Sequence, residues 1–349
     1  MSKKVMIGMS GGVDSAVAAY LLRKQGYDVS GVTLRLYAGE RACGSADDAE
    51  DARRVAESQG IPHEVVSFTE TFRHEVMDRF ADSYIKGMTP NPCIECNRHI
   101  KFGKMLELAE AKGMDFIATG HYARIDKDVN GRYLLKKAAD LHKDQTYVLY
   151  SLTQYQLAHT LFPLGDYPKT EIRAIAEQNG FVNAQKRDSQ DICFVPDGDY
   201  AAFIERHTGD TFPEGHFIDR DGRILGKHRG IIRYTVGQRK GLGIALGKPA
   251  FVCAKDVISN TVTLGDNVDL FSSTLTAHDV NLIACDSLTV PIRVTAKVRY
   301  GQKEQPATAV QIGEGRLRVD FDTPQRAIAA GQSVVLYDGD IVVGGGIID

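Results

Sequence analysis

Tryptophan is absent from the 349 residues, and neither sign of charge dominates. Lys and Arg number 42 against 45 Asp and Glu, a net charge of -3. A chain so balanced has no overall pull on a nucleic acid, so any surface for one must be a local patch. No apolar run approaches the ~20 residues of a membrane span. The opening MSKK runs into a strand with no apolar stretch of signal-peptide type. The six cysteines are too dilute for a secreted disulfide scaffold. The expectation is a cytoplasmic protein with no membrane partner, whose thiols serve reactivity or metal binding. The Walker spacing and GxGxxG are both missing. So are internal repeats, coiled-coil heptads and low-complexity segments. The length suffices for two or three domains with their own cores.

What is present begins with VMIGMSGGVDS, Val5 to Ser15. A short apolar run passes through Ser-Gly-Gly into Asp14, Ser15 and helix formers, which reads as strand, tight loop and helix. The N–H groups of a helix's first turn lack helical partners, so an anion can sit at the carboxyl end of this strand. Gly11 and Gly12 permit the turn and let a phosphate approach. SGGVDS directly after a strand resembles the pyrophosphate loop of the ATP pyrophosphatases. The competing reading is an ordinary strand-to-helix turn.

Strand and helix alternate to about residue 200. Asp28 to Arg35 and His63 to Phe68 read as strands, and Phe116 to Thr119 as a short buried one. Ser45 caps a helix that runs to Gln59. Phe72 to Ile85 reads as one amphipathic helix. The prolines of Thr89-Pro-Asn-Pro-Cys93 exclude helix there, and helix resumes at Ile100. Such a repeat predicts a mostly parallel sheet covered by helices, with ligands outside the carboxyl ends of its strands. From about residue 210 short strands punctuated by Gly, Pro and Asp replace the helical period. Asp338-Gly339 between apolar runs signals a hairpin. Residues 222–248 hold seven Lys or Arg and no acid, with Tyr234 among them. That composition suits a phosphate backbone, although a charge run is also simply a solvated face.

Cys93 and Cys96 form a CxxC, and Cys193 follows about a hundred residues later. All three lie in polar, turn-rich settings that fit reactive thiols, whereas Cys43, Cys253 and Cys285 read as small buried hydrophobes. Lys186 and Arg187 stand upstream of Cys193 as candidate sources of a positive field. A structural zinc site would need a fourth ligand, for which His99 and His121 are the candidates.

GMSGGVDS, CGSADDAEDARRVAESQGIP, TPNPCIECNRHIKFG, ATGHYAR, KDQTYVL, DSQDICF, YTVGQRKGLG and VRYGQK together resemble the bacterial tRNA-specific 2-thiouridylase family. The resemblance runs essentially end to end. It implies an α/β fold, with an N-terminal adenine-nucleotide alpha-hydrolase-like parallel sheet domain followed by two small β-rich domains, the last a β-barrel. The boundaries expected are 1–205 for adenylation and catalysis, 206–275 for a central tRNA-binding domain and 276–349 for the barrel. The implied reaction is ATP-dependent 2-thiolation of the wobble uridine, position 34, in tRNA(Lys), tRNA(Glu) and tRNA(Gln). ATP and Mg2+ are the implied cofactors. A cysteine desulfurase or sulfur-relay protein is the implied donor.

Carried over by motif, the resemblance implies that Gly8, Met9, Ser10, Gly11, Gly12, Val13, Asp14 and Ser15 form the ATP loop. Asp14 is a candidate support for the metal or the pyrophosphate. Leu34 and Gly120 line the adenine and ribose side. Asn91, Pro92 and Cys93 lie against the target base. Cys96 is the nucleophile and disulfide partner, and Cys193 carries the persulfide. Lys143, Asp144, Gln145, His121, Arg299, Tyr300 and Gln332 fall at tRNA-contacting positions.

Many members of the family carry Asp where this chain has Cys93, and that Asp serves as a general base. The substitution opens a second sulfur route, in which Cys93, Cys96 and Cys193 hold a [4Fe–4S] cluster. The persulfide route is the preferred one. Another tRNA-binding adenylating enzyme of this loop class and a non-catalytic RNA-binding protein remain as alternatives. A small-molecule ligase of the loop class would leave the cysteines without a job, and a binding protein would leave both SGGVDS and the cysteines unexplained.

Overall fold

The computed structural model describes residues 2–37, 45–186 and 192–349. They fall into two units. One comprises residues 1–77, 92–198 and 339–343, and the other residues 78–91, 199–338 and 344–349.

The first unit is built on a parallel sheet. Its strands are β1 (Lys4–Gly8), β2 (Asp28–Arg35), β3 (His63–Ser67) and β4 (Phe116–Ala118). β5 (Arg124–Lys127) and β6 (Tyr133–Lys136) form an antiparallel hairpin outside the parallel sheet, with Lys136 of β6 paired to Ile341, and β7 (Thr160–Leu161) completes the parallel sheet. The order is β3-β2-β1-β4-β7, with every pair parallel. β1 therefore sends the chain to β2 on one side while β4 lies on the other. A crevice opens outside the carboxyl ends where the order reverses, and the loop after β1 leads into it. Helix α1 (Val13–Lys24) packs a small apolar face of Ala16, Val17, Ala19 and Leu22 into the core with Val5 and Ile7 of β1. Fully burying each larger aliphatic side chain contributes about 1.5–3 kcal/mol. That is why the loop rests on a rigid base. Helix α2 (Ala46–Ser58) starts at Ser45, whose hydroxyl accepts from the Asp48 amide at 3.2 Å.

Two helical expectations are corrected. The segment from Phe72 to Ile85 is not one α-helix. Thr69–Phe72 passes into a wider π-helical stretch, Arg73–Asp78, and then into Arg79–Ile85. The prolines near Cys93 also fail to bar helix. Pro92 opens the short helix Pro92–Glu95, a first-turn position where its missing N–H costs nothing. The chain continues as a π-helical stretch Cys96–Lys104 and then as Met105–Ala111. Cys93 and Cys96 therefore ride on a helical run that begins well before Ile100.

The second unit contains a four-stranded sheet and a barrel. β8 (Gly215–Ile218), β9 (Ile224–His228), β10 (Phe251–Asp256) and β11 (Thr261–Gly265) pair in the order β10-β11-β8-β9. Phe217 of β8 meets the His228 and Tyr234 rings edge-on, with centroids 5.6 and 5.1 Å away. Tyr234 is thus a core residue and not a surface aromatic of the basic stretch. β12 (Phe271–Leu282), β13 (Ile292–Lys297), β14 (Gln305–Gly313), β15 (Arg316–Arg326), β16 (Ser333–Asp338) and β17 (Ile341–Ile348) follow. Their order β12-β15-β14-β13-β16-β17 closes through β12 pairing with β17, which makes the expected barrel. A tight turn at Gly339-Asp340 joins its last two strands, so the hairpin the sequence predicts is present with its turn one residue later than Asp338-Gly339. Among the described residues no helix is long and apolar enough to cross a membrane.

Candidate active site around the glycine-rich loop

The loop after β1 is held from four directions. The Met9 amide donates to the Val32 carbonyl at 2.8 Å, and the Thr33 hydroxyl donates to the Met9 carbonyl at 2.7 Å. The Ser15 hydroxyl accepts from the Ser10 amide at 3.2 Å and donates to the Gly12 carbonyl at 3.1 Å. The buried Asn183 amide reaches the Gly11 carbonyl at 3.1 Å. Gly11 has φ +70°, and a Cβ there would stand 2.5 Å from the Asp48 carbonyl oxygen. No other residue fits without moving α2. Gly12 caps α1, so the first N–H groups of α1 face outward from the strand ends, as an anion site requires.

Gly120 owes its place to the same loop. A Cβ there would meet the Ser15 amide nitrogen at 2.9 Å and Asp14 Cβ at 3.1 Å. The chain after β4 therefore lies flat against the first turn of α1. Gly8 ends β1 against the Met105 sulfur. Val13 is buried, and Leu34 is half-buried near the carboxyl end of β2.

Asp14 is engaged by two side chains from distant parts of the chain. Lys169 Nζ stands 2.7 Å from both of its carboxylate oxygens, and the Tyr122 hydroxyl donates to Oδ1 at 2.7 Å. Lys169 and Tyr122 were not singled out by motif. One signal for Lys169 was in the sequence: it follows Pro168 at the start of a helix, where a cation opposes the helix dipole.

The KDQ segment serves this network. Gln145 accepts from the Tyr122 amide at 2.9 Å through Oε1, and its own amide donates to the Tyr122 carbonyl at 2.9 Å. Asp144 accepts from the Ala138 amide at 3.1 Å and the Thr146 hydroxyl at 2.6 Å. Lys143 is half-buried. His121 is buried, with Nδ1 2.7 Å from the Thr119 hydroxyl and the rings of Phe102 and Phe162 against it. Burial, aided by the charge of Lys101, pushes its pKa well below the ordinary histidine value, so the ring is neutral.

Of the cysteines, Cys93 is exposed, Cys96 is 8% exposed and Cys193 is half-buried. Pro92 is buried and Asn91 half-buried. Phe194, next to Cys193, packs edge-on against Phe72 at 5.7 Å. Among the described residues no group of three or more His, Cys, Asp or Glu side chains is placed to hold a metal ion. Cys93, Cys96 and Cys193 are among the described residues and are not brought together as a cluster site. His99 faces Glu95 and Glu75 at 3.2 and 3.7 Å and does not complete a metal site. The Lys186 ammonium does not supply a loose positive field, since Asp48 and Asp51 hold it at 2.9 and 2.8 Å. Arg187, the residues 188–191 of DSQDICF, and Cys43 lie outside the described residues. Cys253 and Cys285 are half-buried rather than fully buried as expected, and the Cys253 thiol, pushed up chiefly by burial, donates to the Phe251 carbonyl at 3.5 Å.

In the second unit, Arg299 donates to the carbonyls of Val236 and Ala327 at 3.1 and 2.7 Å. Tyr300 is 45% exposed. Gln332 donates to the Thr89 carbonyl at 2.7 Å, three residues before Pro92 in the chain. The basic stretch is partly neutralised in three dimensions. Arg223, Lys227, Arg233 and Lys248 pair with Asp221, Glu214, Glu205 and Asp266. Arg229, Arg239 and Lys240 are exposed.

Three family profiles match this arrangement in order. They are a tRNA methyl transferase HUP domain over residues 3–197, a tRNA methyl transferase PRC-barrel domain over 201–266 and an aminomethyltransferase beta-barrel domain over 272–348. Over 356 residues the chain is 56% identical to the tRNA-specific 2-thiouridylase MnmA of Clostridioides difficile, covering 100% of this chain and 99% of that protein. The chain belongs to the MnmA family. Its MnmA relative in Acetivibrio thermocellus is 54% identical over 355 residues, with 99% of both chains covered. The MnmA of Clostridium acetobutylicum is 52% identical over 355 residues, with 100% of both covered. The parallel sheet, the small central domain and the closed barrel expected from the sequence are borne out in an MnmA-family chain.

Proposed function

We propose that this chain is a tRNA-uridine 2-sulfurtransferase. In this reading it thiolates position 34 of tRNA(Lys), tRNA(Glu) and tRNA(Gln) with ATP and a cysteine-borne sulfur. The observation that carries the proposal is full-length identity of 56% to a protein named for that activity. The placement of the SGGVDS loop at the switch point of a parallel sheet supports it.

The loop N–H groups and the first turn of α1 bind the phosphates of ATP. The wobble base leaves its stack to reach the site, as base-modifying enzymes require. Its O2 attacks the α-phosphorus, and pyrophosphate departs. Preorganised N–H dipoles stabilise the charge that develops there. Magnesium enters as the counter-ion of the nucleotide substrate. Sulfur then replaces the activated oxygen. The terminal sulfur of a Cys193 persulfide attacks C2 and AMP leaves. The Cys96 thiolate attacks Cys193 Sγ, which forms the Cys96–Cys193 disulfide and releases 2-thiouridine. External thiols reduce the disulfide, and a cysteine desulfurase or sulfur relay reloads Cys193. Covalent delivery divides one difficult substitution into easier steps.

Cys93 is exposed where many relatives have a carboxylate, so its thiolate is assigned to the base-facing role together with Asn91 and Pro92. Exposed Tyr300, Arg229, Arg239 and Lys240 are assigned to the tRNA backbone, with Lys143. Asp144, Gln145, His121, Arg299 and Gln332 hold the segments that carry those contacts. In this reading the chain divides functionally at about residues 205 and 275, with adenylation and sulfur chemistry in the first part.

Unmodified tRNA, ATP and a sulfur source test this together. Formation of 2-thiouridine with AMP and pyrophosphate is expected. Pyrophosphate release without sulfur transfer would point to a different adenylating enzyme. RNA binding without ATP consumption would point to a binding protein.

A further inference from the structure

An acid in the first turn of α1 is at odds with a phosphate site. Asp14 stabilises the helix N-terminus, but that same turn must receive a polyanion. Its charge is answered by Lys169, which is unusual in three respects. Lys169 is 8% exposed, far more buried than lysines generally are. It occupies the first position of helix Lys169–Gln178, where a cation is disfavoured. Its Nζ meets both Asp14 oxygens at 2.7 Å. Neither helix propensity nor core packing calls for a lysine here. The pair is buttressed on all sides. Tyr122 donates to Asp14 Oδ1 and turns its ring toward Lys169 Nζ, 5.7 Å from the centroid. Gln145 clamps the Tyr122 backbone, and the Asp140 carboxylate accepts from the Lys169 amide at 3.1 Å.

We infer that Lys169 is a positioning residue for ATP, acting through Asp14. It neutralises the loop carboxylate and fixes it against Tyr122, so the loop and the first turn of α1 present an uncompensated positive field to the phosphates. This rests on the reading of residues 8–15 as the ATP loop. Tyr122 and Gln145 then belong to the adenylation machinery through the same carboxylate.

The test is a double-mutant cycle on the full chain, read as pyrophosphate release with unmodified tRNA and ATP. Lys169→Met is expected to raise KM for ATP tenfold or more while KM for tRNA stays within twofold. Adding Asp14→Asn is expected to recover at least half of that rise on a logarithmic scale, because the uncompensated charge is gone. Lys169→Arg keeps the charge and is expected to stay within about threefold of the unaltered protein. If the double variant is no better than Lys169→Met, Lys169 touches the nucleotide itself and the inference falls. An unchanged KM in Lys169→Met overturns it as well. Should Lys169→Met not fold, as read by circular dichroism, the comparison of Lys169→Arg with the double variant decides. An ATP KM in the double variant tenfold above that of Lys169→Arg overturns the inference. Failure of the unaltered protein to release pyrophosphate at all would instead sink the reading of the loop.

Discussion

The side-chain amide of Asn97 donates to the Val148 carbonyl at 2.8 Å, with both residues buried. Asn97 follows Cys96 directly, and Val148 belongs to the turn Thr146–Val148 that continues from Gln145. The helical run carrying Cys96 and the clamp on Tyr122 therefore share one short turn. Asn97→Ala leaves the Val148 carbonyl buried without this donor, at a cost of about 1–3 kcal/mol. The expected outcome is a lowered melting temperature and a larger loss in 2-thiouridine formation than in pyrophosphate release. Equal losses in both would detach Asn97 from Cys96.

Gly120→Ala tests the close approach behind the loop. The new Cβ would press on the Ser15 amide nitrogen at 2.9 Å. Overpacking of this kind costs about 1–3 kcal/mol and is felt in the first turn of α1. A raised KM for ATP with little change in KM for tRNA is the expected result in steady-state pyrophosphate assays. A variant with unaltered ATP kinetics would show that Gly120 does not shape the nucleotide site.

Much of this was legible in the sequence, for identifiable reasons. The β1–loop–α1 unit is local, and the Gly pair, the apolar run and the helix formers each say the same thing. Ser45 as a cap and the hairpin signalled by Asp338-Gly339 are equally local. The π-helical stretches were not legible, because an apolar period of 3.6 does not distinguish one wide turn. Pro92 was misread as a breaker because its effect depends on being first in its helix. Lys169 and Tyr122 stand 155 and 108 residues from Asp14. No spacing rule connects them, so only the fold reveals that the loop acid is already engaged.

His121 gives the protein an acid-sensitive element. Its folded pKa is depressed, chiefly by burial, while the unfolded chain titrates near the ordinary 6.5. Below that value the unfolded state binds the proton more readily, so stability falls as pH drops through about 6.5 and continues to fall towards the folded pKa. Urea unfolding of the unaltered protein and of His121→Asn between pH 5 and 8, roughly the window in which histidine titrates, checks this. The variant is expected to lose part of the slope below pH 6.5. Identical slopes would count against a neutral, buried ring.

Lys255 behaves in the opposite pH range. Its Nζ is buried without a hydrogen-bond partner, 5.9 Å from the Tyr84 ring centroid, and burial lowers its pKa from 10.5 to about 8. The unfolded chain keeps that proton more tightly, so stability rises as pH climbs from about 8 to 10.5. Lys255→Met removes the penalty and is expected to stabilise the protein at neutral pH by about 1–3 kcal/mol. Thermal unfolding at neutral pH shows it as a higher melting temperature. A lower one would mean that the ammonium contributes net stability where it lies.

The most direct measurement loads the protein with persulfide sulfur and supplies unmodified tRNA(Lys) and ATP. It then quantifies 2-thiouridine, AMP and pyrophosphate for the unaltered protein and for Cys193→Ala. The expected result is equal amounts of the three products from the unaltered protein. Cys193→Ala is expected to bind ATP and form no 2-thiouridine. Normal thiolation by Cys193→Ala would contradict the sulfur route through that residue. So would anaerobically purified protein whose activity requires a stoichiometric iron–sulfur cluster.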